Sequence, residues 1–113
     1  MKSDLSGFYE LTVEERLNKI KEMCSLTDEE TEAIGKTGCL SLISSDRMIE
    51  NVIGTLELPI GIATNFIINN RDVLIPMAIE EPSVVAGASN AAKLARPAGF
   101  TAKSTEPLMI GQI

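Results

Sequence analysis

Ile60-Gly61-Ile62-Ala63-Thr64-Asn65-Phe66-Ile67-Ile68-Asn69-Asn70-Arg71-Asp72-Val73-Leu74-Ile75-Pro76-Met77-Ala78-Ile79 is the stretch that decides the fold. Ile60, Ile62, Thr64, Phe66 and Ile68 alternate with smaller or polar residues, and Val73, Ile75, Met77 and Ile79 repeat the pattern. A period of two places alternate side chains on one face of a strand. Between the runs sits Asn69-Asn70-Arg71-Asp72, and Asn and Asp tolerate the left-handed backbone that a tight turn requires. The pattern predicts a β-hairpin over about 60–68 and 73–79. Pro76 donates no hydrogen bond, so the second strand is an edge or is irregular.

Upstream the period is helical. Thr12 with Glu15, and Thr27 with Glu30, are capping boxes, in which side chains satisfy the free N–H groups of a helix start. Val13, Leu17, Ile20 and Cys24 then share one face. Two short acidic helices are expected, at about 12–24 and 28–35, with Gly35 as a C-cap. A third helix is expected over 39–50, with Leu42, Ile43, Met48 and Ile49 on its buried side. Residues 1–10 read as a loose arm. Downstream, Pro82 is expected in the first turn of a helix over 83–96, packed through Val84, Val85, Ala88, Ala92 and Ala95 and ended by Pro97. Pro-Leu-Met-Ile-Gly-Gln-Ile at 107–113 reads as the start of a terminal strand. An end inside an apolar strand is expected of a piece of a longer domain.

The chain has 113 residues, 44% of them apolar and 4% aromatic, which suits one compact α+β domain with an aliphatic core, or part of one. Its net charge is -6, and residues 1–35 hold four Lys/Arg against nine Asp/Glu. No basic face is visible, so no nucleic-acid partner is expected. The absence of His excludes a Ser-His-Asp triad and a His-ligated metal within the chain. Cys24 and Cys39 fit neither a CxxC pair nor a zinc knuckle, and point to a reducing compartment. No run reaches the about 18–20 apolar residues that span a bilayer. Met1-Lys2-Ser3-Asp4 does not open a signal peptide.

Three segments could carry chemistry. Glu80-Glu81-Pro82-Ser83 joins a strand end to a helix start. Its acids either complement the helix dipole or place one carboxylate in a cleft as a general acid. Asp46-Arg47-Met48-Ile49-Glu50-Asn51-Val52-Ile53-Gly54 reads by spacing as a helix end with an apolar stripe. The small residues of Ser83-Val84-Val85-Ala86-Gly87-Ala88-Ser89 suit tight helix packing, or a phosphate or acyl chain lying close by.

Taken with Leu58-Pro59, Ala63-Thr64-Asn65-Phe66, Ile75-Pro76-Met77 and Ser89-Asn90-Ala91-Ala92-Lys93-Leu94-Ala95-Arg96, these segments resemble the class II form of 3-hydroxy-3-methylglutaryl-coenzyme A (HMG-CoA) reductase. The resemblance runs from about residue 8 to the end and keeps the family's order and spacing. Tyr9 departs from it, standing where some members carry an Arg that reaches the CoA phosphate.

The resemblance implies that residues 1–10 are an N-terminal arm and 11–113 the N-terminal part of the substrate-binding and dimerisation domain, without the cofactor-binding domain. It implies a reductase that interconverts HMG-CoA with mevalonate and CoA, using two hydrides from NADPH or NADH bound by that missing domain. It makes Glu81 the catalytic glutamate that handles the proton on the substrate oxygen. Ser83, Glu50 and Asn51 become substrate-binding residues, and Glu50, Asn51, Val52, Ile53 and Gly54 the dimer interface. The family's catalytic Lys, Asp and His lie outside these residues. A cytoplasmic homodimer or higher homo-oligomer, with no membrane partner, is expected. The competing expectation is a non-enzymatic module that self-associates or binds a partner through the same surface.

Overall fold

A computed structural model describes residues 2–111. In order it contains a 3-10 turn (Phe8–Glu10), α1 (Val13–Cys24), α2 (Asp28–Gly35), α3 (Leu42–Asp46), β1 (Ile60–Ile68), β2 (Arg71–Ala78) and α4 (Val84–Ala95). These make an α+β fold in which β1 and β2 pair as a two-stranded hairpin. The chain forms two compact units. One takes residues 2–5, Gly61–Met77 and the described residues from Glu81 onward; the other takes Ser6–Ile60 and Ala78–Glu80.

In the helical unit, both capping boxes form as expected. Thr12 Oγ1 accepts from the Glu15 N–H and Glu15 returns a bond to the Thr12 N–H, and Thr27 with Glu30 does the same. These bonds also hold the Glu15 carboxyl below the usual carboxylate range. Ile20 is the buried residue of α1, and Leu17 packs so close to Gly35 that a Cβ there would lie 2.9 Å from its Cδ2. Val13 and Cys24, expected on the same face, are exposed. Gly35 is the last residue of α2 rather than a left-handed cap, and the extended Lys36 follows it.

The third helix is shorter than its apolar pattern predicts. Ser41 caps it through the Ser44 N–H at 3.1 Å, and Ser45 turns its hydroxyl back to the Ser41 carbonyl at 3.0 Å. Serine side chains that bond the nearby backbone compete with helix propagation, and Asn51 adopts a left-handed φ of 57° shortly beyond. Leu42, Ile43, Met48 and Ile49, expected on its buried side, are exposed.

In the hairpin unit, Asn69 and Asn70 take φ of 51° and 63°. Two successive left-handed residues suit the right-handed twist of a two-residue hairpin turn. β2 accordingly begins at Arg71, two residues earlier than expected. α4 presents Val84, Val85, Ala88, Ala92 and Ala95 as its partly or fully buried face, as its spacing predicts. Ala63 of β1 and Ala92 of α4 are the most buried apolar side chains, at 0% and 1% exposure. Their small size lets helix and strand approach closely.

Residues 2–5 are not loose. Ser3 is fully buried. Its N–H donates to Asp72 Oδ1 at 2.9 Å, and its carbonyl accepts from the Asn65 N–H at 2.9 Å. Its hydroxyl lies 2.7 Å from Asp72 Oδ1 and 2.8 Å from the Phe66 carbonyl. From the end of α4, Arg96 Nη2 donates to Asp72 Oδ1 at 2.7 Å and Nη1 to the Asn65 carbonyl at 3.1 Å. One carboxylate oxygen thus gathers the N-terminal segment, the hairpin and the helix.

The expected terminal strand does not form: residues 107–111 carry no secondary structure, and residues 112 and 113 lie outside the described residues. The chain instead rejoins β1 earlier, through a parallel bridge between Ile68 and Phe100. The Phe100 N–H donates to the Ile67 carbonyl at 2.8 Å, and its ring stacks on Phe66 at 5.7 Å between centroids. Gly99 makes this return possible at φ 68°, where a Cβ would stand 2.9 Å from the Ile67 carbonyl oxygen. Among the described residues, no helix is long and apolar enough to cross a membrane.

The bonds from Ser3 and Arg96 hold the Asp72 carboxyl far below its ordinary range. A depressed carboxyl stabilises the fold fully above the unfolded Asp value of about 4 and loses that contribution as pH falls toward the folded value. Urea unfolding should show stability flat from neutral pH to about 4.5 on account of this group and declining below about 4. D72N should be less stable at pH 7 and should lose this part of the acid dependence.

Candidate functional site

Glu80, Glu81, Pro82 and Ser83 form the connection from β2 to α4 and are all exposed. β2 stops at Ala78, and the Ile79 N–H donates to the Pro59 carbonyl at 3.2 Å. Pro82 lies in the turn before the helix, not in its first turn as expected. The cause is Ser83, the N-cap, whose left-handed φ of 70° interrupts the helical path. Its carbonyl begins the helix by accepting from the Gly87 N–H at 2.7 Å, while its side chain makes no capping bond. Among the described residues, no hydrogen bond or ion pair occupies Glu80 or Glu81. The acids therefore stay free instead of capping the helix, and the Ser83 hydroxyl is free beside them.

Left-handed backbone at a non-glycine residue costs on the order of 1–3 kcal/mol and concentrates where function holds it in place. Outside the hairpin turn, the described residues of the unit include one further non-glycine residue of this kind, Asn65 within β1, at φ 70°. Beyond Ser83, a Cβ at Gly87 would meet nothing within 4 Å, so the first turns of α4 leave an open surface of small residues.

Glu50, Asn51, Val52, Ile53 and Gly54 belong to the helical unit. They follow the turn in which the Arg47 and Met48 N–H groups donate to the Ser44 and Ser45 carbonyls at 3.2 and 2.9 Å. Asn51 is left-handed, Val52 is partly buried and Ile53 is fully exposed. The segment is a turn running into extended chain, where spacing alone suggested a helix end. Its apolar side chains Ile53, Leu56 and Leu58 face solvent within the chain.

A shallow cavity of about 440 Å³ lies between α1 and α2, lined by Leu17, Lys21, Asp28, Thr31, Glu32, Gly35 and Lys36. Lys21 pairs with Asp28 across it and holds that carboxyl below its usual range. None of the candidate catalytic, substrate-binding or interface residues lines it. Among the described residues, no group of three or more His, Cys, Asp or Glu could hold a metal ion.

The connection thus carries two exposed carboxylates and a left-handed serine between a hairpin and a small-residue helix. The sequence profile described as Hydroxymethylglutaryl-coenzyme A reductase matches residues 12–113, and the chain belongs to that family. It is 63% identical over its whole length to 3-hydroxy-3-methylglutaryl-coenzyme A reductase of Archaeoglobus fulgidus, covering 26% of that protein. It is 47% identical over 66 residues, 58% of its length, to the probable 3-hydroxy-3-methylglutaryl-coenzyme A reductase of Borreliella burgdorferi, covering 15% of it. In three dimensions it is similar to the class II 3-hydroxy-3-methylglutaryl-CoA reductase of Streptococcus pneumoniae bound to NADPH, with a TM-score of 0.76 and 36% identity. That match covers 85% of this chain and 26% of the pneumococcal one. The chain thus spans about a quarter of the length of the relative that it matches from end to end.

A glycine adopts left-handed backbone without steric cost. The Ser83→Gly variant should therefore be as stable as the parent or more so, by up to about 1 kcal/mol, in urea unfolding. A clear loss of stability would mean that the hydroxyl holds the structure together.

Proposed function

We propose that the chain is the N-terminal part of an HMG-CoA reductase. In this reading residues 1–10 are the arm and 11–113 belong to the substrate-binding and dimerisation domain. The reaction reduces the thioester of HMG-CoA to mevalonate and free CoA with two hydrides from NADPH or NADH, or runs in reverse. The observation that carries the reading is the 63% identity along the whole chain to an archaeal member.

Within this reading Glu81 moves the proton on the substrate oxygen, and its exposed carboxylate, without a partner among the described residues, suits that task. The Ser83 hydroxyl, uncommitted to the helix, contacts the HMG moiety. Glu50 and Asn51 bind substrate where two subunits meet, and Val52, Ile53 and Gly54 extend that interface. The exposure of Ile53 supports it, since large apolar patches on a surface mark association sites. In this reading the protein is a cytoplasmic homodimer or higher oligomer.

The residues present do not fit a nicotinamide dinucleotide. A pyrophosphate calls for backbone N–H groups in a glycine-rich turn at a helix start, as in dinucleotide folds. The turn before α4 instead presents Glu80 and Glu81, which repel it. The nucleotide belongs with the remaining three quarters of the relatives' length. The exposed run of Ile53, Leu56 and Leu58 also supports the second reading, a non-enzymatic module that self-associates or binds a partner. Size-exclusion chromatography with and without a full-length reductase separates the two.

In the full-length protein that carries this chain, Glu81→Gln should lower kcat for HMG-CoA reduction by about 10²-fold or more, as general acids do. The 113-residue chain alone should form no mevalonate, because catalytic groups act as a unit. An E81Q enzyme of full activity would overturn the assignment.

A further inference from the structure

We infer that Asn65 is a positioning residue: through Ser89 it sets the placement of α4 on β1, and so the placement of Ser83 and Glu81. The inference rests on the roles given to Glu81 and Ser83 above.

Asn65 sits mid-strand at φ 70°, a conformation that a side chain other than Asn, Asp or Gly adopts at a steric cost. Its N–H donates to the Ser3 carbonyl at 2.9 Å, and its own carbonyl accepts from Arg96 Nη1 at 3.1 Å. Its side-chain Nδ2 donates to the Ser89 carbonyl at 3.0 Å, in the middle of α4, and approaches Thr64 Oγ1 at 3.3 Å. The neighbouring Thr64 N–H donates to Ser89 Oγ at 3.0 Å, which in turn donates to the Val85 carbonyl at 2.8 Å. Two consecutive residues of β1 therefore grip one residue of α4. Near the start of α4, Val85 packs over Gly61, where a Cβ would come within 3.2 Å of its Cγ2.

Ser89 is six residues beyond Ser83, about 9 Å along a rigid helix, so a slide at Ser89 carries Ser83 with it. Misplacement of binding groups by about 1 Å costs up to 10²-fold in rate. Asn meets both demands at this position. Gly keeps the backbone and loses the amide; Asp keeps the shape and loses the donor.

The test uses the full-length enzyme with Asn65→Gly and Asn65→Asp, and Glu81→Gln in parallel. Both Asn65 variants should lower kcat/KM for HMG-CoA about ten-fold with the KM for NAD(P)H unchanged. Amide exchange over Val84–Ala88 should quicken, with that of α1 unaltered. Unchanged kcat/KM overturns the inference, even where stability falls or α4 exchanges faster. So does unchanged exchange over Val84–Ala88. Where N65G fails to fold, N65D decides by the same readouts. Full activity in E81Q would refute the catalytic assignment instead, and the exchange over Val84–Ala88 then decides the role of Asn65 alone.

Discussion

The hairpin unit depends on one atom, Oδ1 of Asp72. It accepts from the Ser3 N–H, the Ser3 hydroxyl and the Arg96 guanidinium, which reach it from sequence positions 69 and 24 residues away. Hydrogen bonds to an ionised acceptor are about twice as strong as neutral ones. Removing the carboxylate would leave the buried Ser3 without its main partner, and an unsatisfied buried group costs about 1–3 kcal/mol. The Lys21–Asp28 pair is a useful contrast. Its aspartate side chain is 87% exposed, against 24% for Asp72. A pair of that kind contributes about 0–1 kcal/mol and weakens with salt. Position within a satisfied network, not the presence of opposite charges, separates the two.

That network lets the unit tolerate strain where chemistry is assigned. Ser83, in the turn before α4, and Asn65, within β1, both hold left-handed backbone, and both lie on the path from β1 through α4 to the exposed Glu81. The strain would relax by unwinding the first turn of α4. Val85 against Gly61, Ser89 against β1 and Arg96 against Asp72 resist that at three heights along the helix. An exposed serine hydroxyl that caps nothing can thus persist at a helix start.

What was legible in the sequence was what local chemistry decides. Both capping boxes and the Asn69-Asn70 turn are settled within four residues, and each formed as read. The buried face of α4 followed from helical spacing because its partner, β1, is close and continuous. The failures lie where distant groups or side-chain competition decide. The run from Leu42 to Ile49 has helical apolar spacing, but Ser44 and Ser45 stand inside it and the apolar positions stay exposed. Ser3 looked like part of a loose arm because its partners are 62 to 93 residues away. The return of Phe100 to β1 hinges on a left-handed Gly99, and nothing in the apolar run at 107–113 signals it. For the candidate site, spacing suggested that Glu80 and Glu81 complement the helix dipole. Only resemblance raised Glu81 above that, and the uncapped Ser83 is a feature no pattern carried.

The 93-residue separation of Ser3 and Arg96 also orders events on the ribosome. Chains emerge from residue 1 onward. α1 and α2 carry their own caps and can form as they appear. Ser3 leaves the tunnel well before Arg96 and Phe100, and the site that buries it does not exist until they have followed. Ser3 is thus locked late relative to its own synthesis, and the hairpin unit is sealed only after the chain has emerged past Arg96 and Phe100.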